Sequence, residues 1–90
     1  MIAAVPRKVP DRFAETDLNG ETVLMNIDTG QFHALKNTGL AIWRLIDGVR
    51  SIAAIQAELL KIYDVDDAQC QAETFRFLNA LKESGFVEGF

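Results

Sequence analysis

Hydrolytic or transfer chemistry needs a nucleophile, a base and a group that orients the base, all within hydrogen-bond reach. This chain has one histidine, His33, and one cysteine, Cys70, and they fall on what read as a strand and a helix, so no catalytic residue is expected. His33 reads as a rim or edge side chain. The nearest approach to metal-ligand spacing is Asp64, Asp66 and Asp67, which helix capping accounts for. No glycine loop of the phosphate-cradling kind occurs, and neither a metal nor a cofactor is expected. The remaining chemistry belongs to the main chain. Gln31-Phe32-His33-Ala34-Leu35 alternates as a strand does, yet it contains no Asp, Glu, Lys, Arg or Pro, the residues that normally guard a sheet edge. An unguarded edge offers unpaired N–H and C=O groups to a visiting segment, so the expected function is binding.

The elements that must present this edge follow from local signals. Val23, Met25 and Ile27 alternate with Leu24 and Asn26, and Asp28-Thr29-Gly30 supplies a turn with glycine at the left-handed position. Upstream, Asn19-Gly20 is the strongest short-range sign of a type I′ hairpin turn, because both central residues need positive φ. Strands are therefore expected at about 12–18, 21–28 and 31–35, forming a three-stranded antiparallel meander. Its first strand carries Glu15 and Asp17 behind Pro10 and Asp11; its third is bare until Lys36. A bare edge implies either a covering partner or a self-paired dimer.

After Leu35 the period changes to helical. Asn37 or Thr38 is expected to cap a helix at about 38–47 with Leu40, Ile42, Trp43 and Ile46 on its buried side. Ser51 should cap a second at about 52–63, where Ile52, Ile55, Leu59 and Ile62 share a face. Asp66 and Gln69 read as a capping box for the third, at about 67–84, with Gly85 and Phe86 closing it in a Schellman-type cap. On that last helix Cys70, Thr74, Phe77, Leu78 and Leu81 form a core stripe. Phe75 lies roughly 110° from its centre at 100° per residue, beside Gln71, Asn79 and Lys82. This broad apolar sector suggests a channel floored by Phe75 and Leu78 with Asn79, Lys82 and His33 at the rim, into which alternate side chains of an added strand would fall. The fold class expected is α+β, winged-helix-like, three strands followed by three helices.

Composition bounds the rest. Ninety residues, 49% hydrophobic and 24% charged, make one folded domain; residues 1–11, broken by Pro6 and Pro10, read as a flexible tail ahead of a single domain at 12–90. The lone cysteine excludes an internal disulfide and fits a reducing compartment. Met1 to Val5 is too short for a signal-peptide core, and no run approaches the ~18 apolar residues of a membrane span, so a cytoplasmic location and no membrane partner are expected. Net charge is −4, and since Arg7, Lys8 and Arg12 against Asp11 leave the N-terminus at +2, residues 13–90 carry −6. The predicted third helix is itself acidic. That argues against a winged-helix DNA-binding protein, whose helix would need a basic face.

The run VLMNIDTGQFHALKNTGLAIWRLIDG, then SIAAIQAELLKIYDVD and a last helix ending FLNALKESGFVE, resembles the PqqD-like family of peptide-binding domains, also called RiPP recognition elements. The likeness spans about Phe13 to Glu88 and is carried by Thr29-Gly30, Leu35 to Asn37, Ile42-Trp43, Leu45 to Gly48 and Val65-Asp66. It implies a winged-helix-like domain that binds the leader of a ribosomally made precursor peptide as an added strand between strand three and helix three, and delivers it to modifying enzymes. It places main-chain contacts at Gln31, Phe32, His33, Ala34 and Leu35, and a pocket at Gln71, Phe75, Leu78, Asn79 and Lys82. The segment DTGQFHALKNTG is more similar to the stand-alone proteins of lasso-peptide clusters, where the partners would be a leader peptidase and a macrocyclase. The alternative is a peptide chaperone in pyrroloquinoline quinone synthesis, with a radical enzyme as partner. A monomer or weak dimer is expected.

Overall fold

The computed structural model describes residues 3–90. In chain order it holds β1 (Arg7–Lys8), a 3₁₀ turn (Pro10–Arg12), β2 (Phe13–Leu18), β3 (Glu21–Asn26), β4 (Phe32–Leu35), α1 (Asn37–Leu45), α2 (Ile52–Ile62), α3 (Asp67–Glu83) and β5 (Val87–Glu88). The fold is α+β: an antiparallel sheet in the order β2-β3-β4 packs on three helices, and a second, two-stranded ladder joins β1 to β5.

Register in the larger sheet follows from its turns. Asn19 and Gly20 both have positive φ (51° and 82°), the geometry a tight two-residue hairpin requires, and this pairs Leu18 with Glu21 and Phe13 with Asn26. β3 is shorter than the alternation predicts because the Asn26 side chain accepts from the N–H groups of Asp28 and Thr29, bending the chain out of the strand. Gly30, at φ 75°, donates to Asn26 O, and β4 returns with Met25 opposite Phe32 and Thr22 opposite Leu35. The period of two then sorts side chains: Thr22, Leu24 and Leu35 turn to the helices and are buried, whereas Phe32 faces away and is 70% exposed. The buried Thr22 hydroxyl is satisfied by donating to Asp17 Oδ1 at 2.7 Å.

The core lies between this sheet and the helices, built from Leu24, Ile42, Trp43, Ile52, Ile55, Leu59, Leu78 and Phe86. Each such side chain contributes about 1.5–3 kcal/mol by burial. Ser51 caps α2 by accepting from Ala54 N, and Asp66 caps α3 by accepting from Gln69 N at 2.7 Å. The box at α3 is half made, because the Gln69 amide donates to Glu73 instead of returning to Asp66. At the other end Gly85 N donates to Lys82 O and Phe86 N to Leu81 O, the paired bonds of a Schellman cap, with Phe86 and Leu81 both buried. α1 differs from expectation. Asn37 has φ 51°, which takes it out of the extended conformation a side-chain cap needs, and Lys36 precedes the helix without a side-chain cap.

The segment expected as a loose tail is instead tied down from Ala4 onward; Met1 and Ile2 of it lie outside the described residues. Ala4 O accepts from Ile52 N, Pro6 is buried, Arg7 and Lys8 pair with Glu88 and Val87, and Val9 N donates to Phe86 O. Lys8 lies 4.2 Å from the centroid of Trp43, a cation–π contact, and this partial burial lowers its pKa against the opposing pull of Glu15 and Asp47. Two-residue strands that meet across some eighty positions leave no periodicity to read. No helix among the described residues is long and apolar enough to cross a membrane.

Candidate peptide-binding groove

β4 is paired on one side by β3; on its other side no strand joins it among the described residues. Asn26 N donates to Gln31 O. Since antiparallel pairs alternate, Gln31, His33 and Leu35 hold the inward bonds to β3, and the N–H and C=O groups of Phe32 and Ala34 point to the open side. The side chains alternate at right angles to this. His33 and Leu35 turn toward α3, with the His33 ring edge-on to Phe86 at 5.6 Å between centroids.

Between the open edge and α3 runs a groove in two adjoining parts, which share Phe77 and Ala80 in their lining. One, about 300 Å³, is lined by His33, Ala34 and Leu35 facing Phe77, Ala80, Leu81 and Ser84, with Phe86 beneath. The other, about 480 Å³, continues past Phe77 and Ala80 between Lys36 to Gly39 with Ile42 on α1 and Glu73 with Arg76 on α3. The α3 wall is therefore 73, 76, 77, 80, 81 and 84, one helical face at steps of three and four. Small Ala80 and Ser84 leave the space, and Gly39 lets the Phe77 ring approach α1: a Cβ there would stand 3.0 Å from Phe77 Cε1. The groove offers main-chain hydrogen bonds along one wall and apolar surface along the other, an arrangement that can hold an extended chain.

Of the residues predicted on the strand, His33, Ala34 and Leu35 line this groove; Gln31 sits just before β4, and the Phe32 side chain lies on the opposite sheet face with Ala14, Leu18, Val23 and Met25. Those predicted on the helix do not come to it. Leu78 is fully buried in the core, Phe75 is half-buried against the core on the far flank, and Gln71, Asn79 and Lys82 are exposed there, Lys82 5.2 Å above the Phe90 ring. They lie roughly half a turn around α3 from the groove face, at 100° per residue. The core stripe is Cys70, Thr74, Leu78 and Leu81, so Phe77, counted in it from the sequence, belongs to the groove flank and Phe75 to the other. Either flank could have faced β4 on periodicity alone. The signal that distinguishes them is the pairing of small and large residues, Ala80, Ser84 and Gly39 around Phe77.

The family described as coenzyme PQQ synthesis protein D (PqqD) matches residues 21–87. The chain belongs to the PqqD family. No curated protein matches it. Among solved structures, TbiB1 in complex with the TbiA(beta) leader peptide superposes on this PqqD-family domain with a TM-score of 0.80 at 26% identity, over 92% of this chain and 96% of that one. The matched span of the PqqD family runs from β3 to β5 and so contains both walls of the groove.

Proposed function

We propose that this PqqD-family domain is a non-catalytic adaptor that binds the leader of a ribosomally synthesised precursor peptide and presents it to modifying enzymes. The leader adds to the open edge of β4 as a further strand, with alternate side chains in the groove against Phe77, Ala80 and Leu81. The observation that carries this reading is the coincidence of an unguarded, unpaired β4 edge with an apolar groove alongside it, in a fold shared with a protein solved with a leader peptide bound. Partners are the precursor peptide and, on the similarity of DTGQFHALKNTG to lasso-peptide proteins, a leader peptidase and macrocyclase in the cytoplasm. The second reading, a chaperone serving pyrroloquinoline quinone synthesis with a radical enzyme, has the family description in its favour.

The test is amide hydrogen exchange with and without a synthetic leader peptide of a ribosomally made precursor. Protection of Phe32 and Ala34 on the edge is expected, with perturbation of Phe77 and Leu81 across the groove. A leader that binds while leaving these amides unprotected overturns strand addition, and a strand-paired dimer unaffected by any such leader overturns the adaptor.

A further inference from the structure

The two parts of the groove differ in chemistry. Around Leu35, Phe77, Leu81 and Phe86 its lining holds no Lys, Arg, Asp or Glu, whereas beyond Phe77 it is bounded by Lys36, Asn37, Thr38 and Arg76, with Glu73 the one acid of that lining. In a chain of net charge −4, the lining of this end holds two cations against one acid. None of the ion pairs among the described residues includes Arg76, and Lys36 reaches only Glu21, at 3.7 Å across an exposed surface where such a pair holds weakly. Glu73 already accepts a hydrogen bond from the Gln69 amide at 3.4 Å.

We propose that the Lys36–Arg76 end of the groove receives an acidic side chain of the bound peptide, and so selects a strand that carries Asp or Glu beside its apolar anchor. This rests on the strand-addition reading above. Antiparallel pairing is the commoner and slightly stronger arrangement, and a strand antiparallel to β4 enters at Lys36 and leaves at Gln31. From Arg76 to Ala80 is roughly 6 Å along α3 at 1.5 Å per residue. A strand covers about the same distance in two residues, the interval between side chains on one face. The acid therefore lies two positions N-terminal to the apolar side chain seated over Ala80 and Leu81.

The experiment selects binders from a displayed library of random twelve-residue peptides on the full chain and on Arg76→Glu, an exposed position whose change leaves the core intact. Wild type enriches Asp or Glu two residues before a large apolar residue; Arg76→Glu loses that preference and enriches Lys or Arg there. For a synthetic peptide from the wild-type pool, replacing the acid by its amide weakens binding roughly two- to fivefold, the range of an exposed ion pair, and has no effect on Arg76→Gln. Peptides that protect the Phe32 and Ala34 amides without any charge preference overturn this inference and leave strand addition standing. Peptides that bind without protecting those amides, or a library with no binders, overturn both.

Discussion

At the scale of single residues, the alternation of hydrogen bonds along β4 separates positions that sequence treats alike. Ala34 directs its N–H to the open side, whereas His33 directs its own to β3. Ala34→Pro is therefore expected to weaken leader binding at least tenfold in a calorimetric titration while thermal unfolding shows a folded domain, and His33→Pro to lower the melting temperature by breaking the β3 ladder. The two phenylalanines of α3 divide the same way. Phe77→Ala should cost the complex about 1–3 kcal/mol, the range of a truncated pocket contact, because its ring forms the groove wall. Phe75→Ala should act on the free protein instead, visible as a lower denaturation midpoint with leader affinity unchanged, since it packs against the core.

At the scale of elements, α1 meets α3 through a glycine. Gly39→Ala would improve intrinsic helix propensity by up to ~1 kcal/mol, yet its Cβ would press on the Phe77 ring at 3.0 Å. The ring is the end of a flexible side chain and shifts into the groove, so stability should change little while leader affinity falls, a combination that chemical denaturation and titration together detect. The caps behave as independent local units: Asp66→Ala should cost about 1 kcal/mol of unfolding free energy through the lost bond to Gln69 N, without altering the groove. The loop after α1 is held by Asp47, which accepts from the N–H groups of Arg50 and Val49 and so keeps its carboxyl below the usual range. A depressed carboxyl contributes stability above its unfolded pKa and loses it as pH falls through the folded one, and Asp47→Asn should flatten that acid-side loss.

At the scale of the whole molecule, the first and last strands meet beneath the groove. β1 pairs with β5, and Val9 N holds Phe86 O just where Phe86 floors the cleft under His33. Deleting residues 1–9 is expected to lower the melting temperature and also to weaken leader binding, because Phe86 and β5 lose their outer partner. Stability falling without any change in affinity would show that the clasp serves the fold alone.

The local signals that sequence carries are the ones set by neighbours in the chain: the Asn19-Gly20 turn, the Ser51 and Asp66 caps, the Gly85-Phe86 stop and the missing guards on β4. Each depends on a few consecutive residues and on backbone geometry that any context preserves. Which flank of α3 faces the strand, and that Arg7 and Lys8 find Val87 and Glu88, depend on how elements far apart in sequence pack together. Helical periodicity marks a buried stripe but leaves its two flanks equivalent, and a two-residue strand has no period at all. Only the closed core, with Phe77 set against Gly39 on one side and Phe75 on the other, makes one flank the wall of the groove.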